Sequence, residues 1–232
     1  MWQDLFGSDD EDYAEDTGST NLHCRTTTLM DEANDNVEIF DQIPGLSLWH
    51  GALDHSQQMA LTQAIIDADI FGQGNQAMRF GNLGSHLTEL AAYIKESNVL
   101  PVSLASRAPL FDQAIYNRYN KGEGLISHID LAKFDDGIVV LSLLSSCCMT
   151  MKPAANPQQA IQQGYSTTQP TSPDDATAID ILLRPGDILV LSGPARYYWE
   201  HGIAEREVDI VGDEMVVRGT RISVTLRKLL PT

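Results

Sequence analysis

The sequence predicts an α+β fold: a double-stranded β-helix, or jelly roll, flanked by N-terminal helices. Two amphipathic helical stretches come first, short β-branched and aromatic runs follow them, and turn residues punctuate that second part. Helices followed by many short strands suit an antiparallel core with helices packed beside it. A doubly wound sheet would need helix and strand to alternate.

Asp54–Asp69 reads as the first helix, with Asp54 as N-cap and Leu61, Ile65 and Ile66 recurring on one face. Ser85–Ser97 reads as the second, with Leu87, Leu90, Ala91 and Ile94 at helical spacing. Strands are expected at Ile115–Tyr119, Ile138–Leu144, Ile188–Leu191 and Ile222–Leu226. Turn chemistry separates them at Lys121–Gly124, Asp135–Gly137, Arg184–Asp187 and Arg218-Gly219. Cys147 and Cys148 are adjacent on a strand and point to opposite faces, so they read as packing residues, as do Met149 and Met151. His23, His50, His55 and His86 lack a partner motif and are expected at solvent-facing or cap positions.

The 232 residues carry a formal charge of −17, and 43% are apolar, enough for a real core. The charge is uneven. Residues 1–41 hold twelve carboxylates against Arg25 alone, a net of −11, while residues 42–232 hold twenty against fourteen cations, a net of −6. The first stretch is therefore expected to be an acidic, disordered segment and the second the folded domain. Within the former, Trp2-Gln3-Asp4-Leu5-Phe6 is either a docking motif for a protein partner or part of a solubilising tail. Residues 152–178, with four prolines and five glutamines, are expected to form a flexible surface loop. No apolar run approaches the ~18 residues of a membrane span, and Met1–Gly18 is too acidic for a targeting peptide. Three cysteines make no disulfide framework, so the nucleus and/or cytoplasm is the expected location. The acidity excludes a histone-like, sequence-independent grip on nucleic acid but leaves room for a local basic groove.

The chemistry centres on His128-Ile129-Asp130. If Ser127–Leu131 is extended, imidazole and carboxylate project to one face and can share a metal. The pair alone is weak, because six histidines among 21 aspartates produce about half of one such spacing by chance. His201, after a strand and before Gly202, supplies a second imidazole; it reads either as a ligand or as a hydrogen-bonded core histidine. Two histidines and one carboxylate on one face leave open positions, as in non-haem Fe(II) oxygenases. Arg221 and Arg227 lie six apart on one strand, sharing the face of Ser223 and Thr225. Two inward guanidiniums need anions, either a dicarboxylate co-substrate or a structural partner such as Asp130. Asn117 and Tyr119 alternate so that both can serve one cavity.

Taken in order, Asn117-x-Tyr119, His128-x-Asp130, His201 and Arg221-x5-Arg227 resemble the AlkB-type branch of the Fe(II)- and 2-oxoglutarate-dependent dioxygenases. The resemblance runs from about Gln42 to Leu230, and Asn75–Gly81 is similar to the branch's stretch near the nucleotide-recognition lid. It implies that His128, Asp130 and His201 hold Fe(II). Arg221, with Tyr119 and Asn117 assisting, would grip the distal carboxylate of 2-oxoglutarate, and Arg227 would lie near its metal-bound end. It also implies the reaction: O2 converts 2-oxoglutarate to succinate and CO2 while a substrate C–H is oxidised, and a hydroxylated N-methyl group collapses to formaldehyde. One departure bears on substrate. Base-repair members carry an acidic residue two positions after the metal aspartate, where this chain has Ala132. Gly124–Asp130 and Ser142-Leu143 instead resemble the branch containing the tRNA wobble-uridine hydroxylase, whose RNA-recognition and methyltransferase modules find no place in these 232 residues.

The expected activity is oxidative demethylation or hydroxylation of a nucleic-acid base, in RNA rather than duplex DNA. A methyl-lysine on a histone or other basic protein is the alternative substrate, and a non-catalytic binding module the alternative role. Arg79, Phe80 and Tyr197 head the residues expected to meet substrate, with Lys121, Lys133, Arg196 and Tyr198 beside them. Alternate members of the Arg196–Trp199 run read equally well as core.

Overall fold

In the computed structural model of the chain, residues 36–155 and 178–231 are described. The acidic stretch through residue 35, with the Trp2–Phe6 motif and His23, lies outside them, as do residues 156–177 of the glutamine- and proline-rich loop.

Helix α1 (His55–Asp67) begins with a reciprocal cap: Asp54 accepts from the Gln57 N–H at 2.8 Å, and the Gln57 side chain accepts from the Asp54 N–H at 2.9 Å. It buries Leu61 and Ile65, and α2 (Ser85–Glu96) buries Leu87, Leu90 and Ile94. Two short helices follow, α3 (Val102–Ala105) and α4 (Gly193–Tyr197), the latter with Pro194 in its first turn, where the missing N–H costs nothing.

The strands are β1 (Val37–Ile39), β2 (Leu46–Trp49), β3 (Gln76–Phe80), β4 (Gln113–Tyr119), β5 (Leu125–His128), β6 (Ile138–Leu143) and β7 (Cys147–Pro153). They continue with β8 (Ile179–Leu183), β9 (Ile188–Leu191), β10 (Trp199–Ile203), β11 (Val208–Val211), β12 (Glu214–Val217) and β13 (Arg221–Arg227). Among the described residues, seven form one antiparallel sheet in the order β1-β2-β9-β6-β13-β4-β3, and four form a second, β5-β10-β7-β8.

Strand alternation sorts side chains into two layers. Ile222, Val224 and Leu226 of β13, with Ala114 and Tyr116 of β4, pack against the α1 and α2 residues. Arg221, Ser223, Thr225 and Arg227, with Ile115, Asn117 and Tyr119, face the opposite way and line a cavity between the sheets. Beside that cavity, Leu46, Val140 and Leu189 of the large sheet meet Met149, Met151 and Ile181 of the small one.

The structure alters three expectations. The fold starts before residue 42: β1 pairs with β2, and Phe40 is buried. Val37, Ile39 and Phe40 suffice for an edge strand, but Glu38 and Asp41 hide them in an acidic composition. His201 lies within strand β10 rather than after one, and the run before that strand is α4. The hairpin β11–β12 is unforeseen, although Val208–Val211, a Gly212-Asp213 turn and Glu214–Val217 spell it out, with Gly212 at φ +58°. Its anchor is Asp209, whose fully buried carboxylate accepts from Arg218 Nε at 2.5 Å and Nη2 at 2.6 Å, Arg206 Nε at 2.6 Å and the Cys148 N–H at 2.8 Å. No described helix is long and apolar enough to cross a membrane.

Candidate active site

His128 ends β5, and His201 sits opposite it on β10 in the ladder register. Their rings are 4.5 Å apart between centroids, and with Asp130 they offer ligand atoms that all lie within 4.8 Å of one another. No other cluster of this kind exists among the described residues. The Nδ1 of His128 is 2.9 Å from the Ile126 carbonyl; as a donor there it leaves Nε2 with its lone pair for a metal. A Cβ on Gly202 would come within 2.9 Å of Ser127 Cα, so glycine here permits the close approach of β10 to β5.

The strand does not extend through Leu131: pairing stops at His128, and Asp130 is irregular. Two arginines do the placing instead. Arg227 Nη2 meets Asp130 Oδ1 at 2.6 Å, while Asp130 Oδ2 is 3.8 Å from His201 Nε2. Buried Arg196 donates Nη1 to the Asp130 carbonyl at 3.1 Å, and Nη2 to the carbonyls of Leu131 at 2.9 Å and Phe134 at 3.1 Å. Arg196 is thus a clamp on the backbone around Asp130 and not a substrate contact. The hint lay in its apolar neighbours: a cation inside such a run has to find acceptors.

Burial pushes the Asp130 carboxyl up, but the attraction of His201 in its protonated form, and of Arg227, Arg196 and His128, outweighs it and holds the group below its usual range. Burial likewise drives the His201 imidazole down to about 4, against the raising effect of Asp130. Anionic carboxylate and neutral imidazole are the forms that bind a metal. A stability prediction follows. Between pH 6.5 and about 4 the unfolded chain takes up a proton that the folded His201 refuses, so folding weakens as pH falls through that window. The metal-free protein should lose about 2 kcal/mol from this group between pH 7 and pH 5, read as a shift in the urea midpoint that His201→Gln abolishes.

At the other end of the cavity, Arg221 is 3% exposed and donates Nη2 to Ser142 Oγ at 2.9 Å. Its Nε has no partner, and no described carboxylate lies within 4.0 Å, the range of the ion pairs found elsewhere in the fold. Its guanidinium carbon lies 5.4 Å from the centre of the Tyr119 ring. Burial raises the Tyr119 phenol, opposed by the charge of Arg221 and by the phenol's own hydrogen bond to Ser223, so it stays neutral. The two arginines therefore divide: Arg227 is matched by Asp130, and Arg221 is left without an anion. A small dicarboxylate would supply the anion that Arg221 needs. Gln76, Leu125, Val140 and Met149 also line the cavity. Their side chains are ordinary ones, and only topology brings them here.

The expected substrate residues separate. Arg79 and Phe80 are exposed on β3, one of the two edge strands of the large sheet. Tyr197 is 2% exposed and packs in the core between the sheets with Tyr198 and Trp199, which removes it as a substrate contact. Beside Asp130 lie exposed Leu131 and, with its Nζ 5.9 Å from the centre of the Phe80 ring, Lys133.

Comparison with known proteins agrees with this architecture. The model of the 2OG-Fe(II) oxygenase superfamily matches residues 86–227. An Arabidopsis thaliana protein described as an alkylated DNA repair protein ALKBH8 homolog is 37% identical over 122 residues, 51% of this chain and 34% of that protein. The tRNA (carboxymethyluridine(34)-5-O)-methyltransferase ALKBH8 of Macaca fascicularis is 33% identical over 138 residues, 52% of this chain and 18% of that protein. The chain thus matches only about a third of the length of the first of these relatives and less of the second. The solved structure of OsALKBH1 shares the fold, with a TM-score of 0.53 at 15% identity, over 80% of this chain and 98% of that one. With the superfamily model covering more than half of its length, the chain belongs to the 2OG-Fe(II) oxygenase superfamily, as an AlkB-type dioxygenase that depends on Fe(II) and 2-oxoglutarate.

Proposed function

We propose that this dioxygenase oxidises a methyl group or another C–H on a nucleic-acid base, in RNA rather than duplex DNA, in the nucleus or cytoplasm. His128, Asp130 and His201 would hold the Fe(II). Arg221, Tyr119 and Asn117 would take the distal carboxylate of 2-oxoglutarate, and Arg227 would stand near its metal-bound end. The metal and co-substrate, once bound, supply the oxidising power from O2. The chain's part is electrostatic and positional. Arg227 and Arg196 keep Asp130 anionic and aimed, burial keeps His201 neutral, and the apolar walls at Ile115, Val140 and Met149 exclude water.

The observation that carries the substrate reading is the rim beside Asp130. Phe80 and Met78, about half exposed, share the face of β3 that borders the cavity, and exposed Leu131 and Lys133 adjoin them. A π-face with a cation beside it suits an unstacked base and its phosphate. A net of −6 on residues 42–232 disfavours a tight grip on duplex DNA, with its dense charge. The matched ALKBH8 of macaque is named for a tRNA uridine, which points the same way.

The test is mass spectrometry of small RNA, duplex DNA and histone peptides after incubation with Fe(II), 2-oxoglutarate and protein, against His201→Ala. An altered nucleoside from RNA is expected with the parent protein alone, reduced about tenfold by Phe80→Ala, since base–aromatic stacking contributes ~1–3 kcal/mol. A product only on the peptides would replace this reading with a protein demethylase or hydroxylase. Partner binding without any oxidation product would replace it with a binding module.

A further inference from the structure

Asn117 lines the cavity beside Arg221 and Tyr119, yet an asparagine side chain is ambivalent: one end accepts, the other donates. Which end faces a ligand depends on what holds the opposite end. Here the holder is Gln76, on edge strand β3 directly across the ladder from Asn117. Its Nε2 donates to Asn117 Oδ1 at 2.7 Å.

The backbone under Gln76 is well secured. The Arg118 N–H donates to the Asn75 carbonyl at 2.7 Å, and the Arg118 side chain donates to Asn75 Oδ1 at 2.9 and 3.0 Å and to the Gly74 carbonyl at 2.9 Å. The Arg118 guanidinium also sits 5.1 Å from the centre of the Phe71 ring. Gln76 therefore reaches Asn117 from a fixed base, although its own side chain is exposed.

We propose that Gln76 is a positioning residue for the co-substrate: by occupying Asn117 Oδ1 it turns the Asn117 Nδ2 toward the cavity. Together with the guanidinium of Arg221 and the hydroxyl of Tyr119, that group completes a wall of donors facing a carboxylate. With the amide reversed, Asn117 would present a carbonyl oxygen to the same anion. Reversal of Asn117 would set its NH2 group against that of Gln76, so Gln76 would have to turn as well; a bound carboxylate favours the arrangement in which Gln76 donates. The proposal rests on reading this cavity as the 2-oxoglutarate site.

Calorimetric titration of 2-oxoglutarate into the full chain loaded with Mn(II) provides the test. Gln76→Met removes the donor at similar size and should weaken 2-oxoglutarate binding about threefold, by freeing the amide to rotate. Gln76→Glu offers only acceptors, so it should draw Asn117 Nδ2 toward itself and weaken binding about tenfold or more, the range for hydrogen bonds to charged groups. Mn(II) affinity measured without 2-oxoglutarate, and the melting temperature, should not move, which separates positioning from general damage. In an Asn117→Ala background, Gln76→Met should have no further effect, since the two act as one unit.

Unchanged 2-oxoglutarate affinity in both Gln76 variants overturns the proposal alone, as does a Gln76→Met effect that persists without Asn117. If the unaltered, Mn(II)-loaded protein binds no 2-oxoglutarate, the reading of the cavity falls and the proposal with it.

Discussion

A His201→Ala variant is expected to lose 2-oxoglutarate turnover by about three orders of magnitude or more, while remaining folded. Loss of even an outer partner of a metal ligand costs ~10–100-fold, and His201 would be a ligand itself. No substitute is at hand, because among the described residues only His128, Asp130 and His201 cluster as ligands. The fold should tolerate the change, since the buried His201 Nδ1 has no hydrogen-bond partner to strand. Asp130→Ala should behave differently. It removes the anion paired with Arg227, leaving that largely buried cation without a partner, and weakens the field acting on Arg196, which costs about 3–5 kcal/mol. Both variants should be inactive, but only the second should melt early. Succinate assay and circular dichroism together decide: His201→Ala retaining a tenth of parental turnover would refute the metal assignment.

An equally large effect on stability is expected far from that chemistry, at Asp209. The carboxylate is fully buried, and four donors converge on it from Arg218, Arg206 and the Cys148 N–H. Burial works against the charge, but these hydrogen bonds prevail and hold its pKa below the usual carboxylate range. Asp209→Ala leaves Arg218, itself 5% exposed, without its anion and detaches β11–β12 from the small sheet. A loss of about 3–5 kcal/mol, or about 10 °C in Tm for a domain of this size, is expected. Turnover per folded molecule at low temperature should be unchanged, since Asp209 touches none of the cavity residues. A Tm within about 2 °C of the parent would show that the hairpin is held by something other than this clamp.

Much of the site was legible because its residues are chemically distinctive and strand periodicity is simple. His128, Asp130, His201, Asn117, Tyr119, Arg221 and Arg227 do converge, from segments separated by up to 110 residues. The helices and the four expected strands appear with ends shifted by at most two residues. What the sequence concealed was position without distinctive chemistry. Gln76 and Met149 line the cavity only because of which strand pairs with which. Arg196 and Tyr197 sit in an aromatic run that suits a substrate wall or a core equally well; packing of α4 decides for the core, and leaves Arg196 to satisfy three carbonyls. β1 was masked by its acidic surroundings, since composition averages over the few apolar residues that make an edge strand.

The alternation along β4 and β13 has one further consequence. Tyr119 faces Arg221 across the ladder, and Asn117 faces Ser223. A mispaired chain shifted by one residue would turn Ile222, Val224 and Leu226 into the cavity and send both arginines among the helices. A shift of two would restore the faces but carry Arg221 about 7 Å from Tyr119. Either trapped species could keep much of its secondary structure and pass for native by far-ultraviolet circular dichroism, yet neither could assemble the donor wall. Titrated 2-oxoglutarate sites per mole would therefore count correctly threaded molecules in a refolded preparation, which no measure of strand content can do.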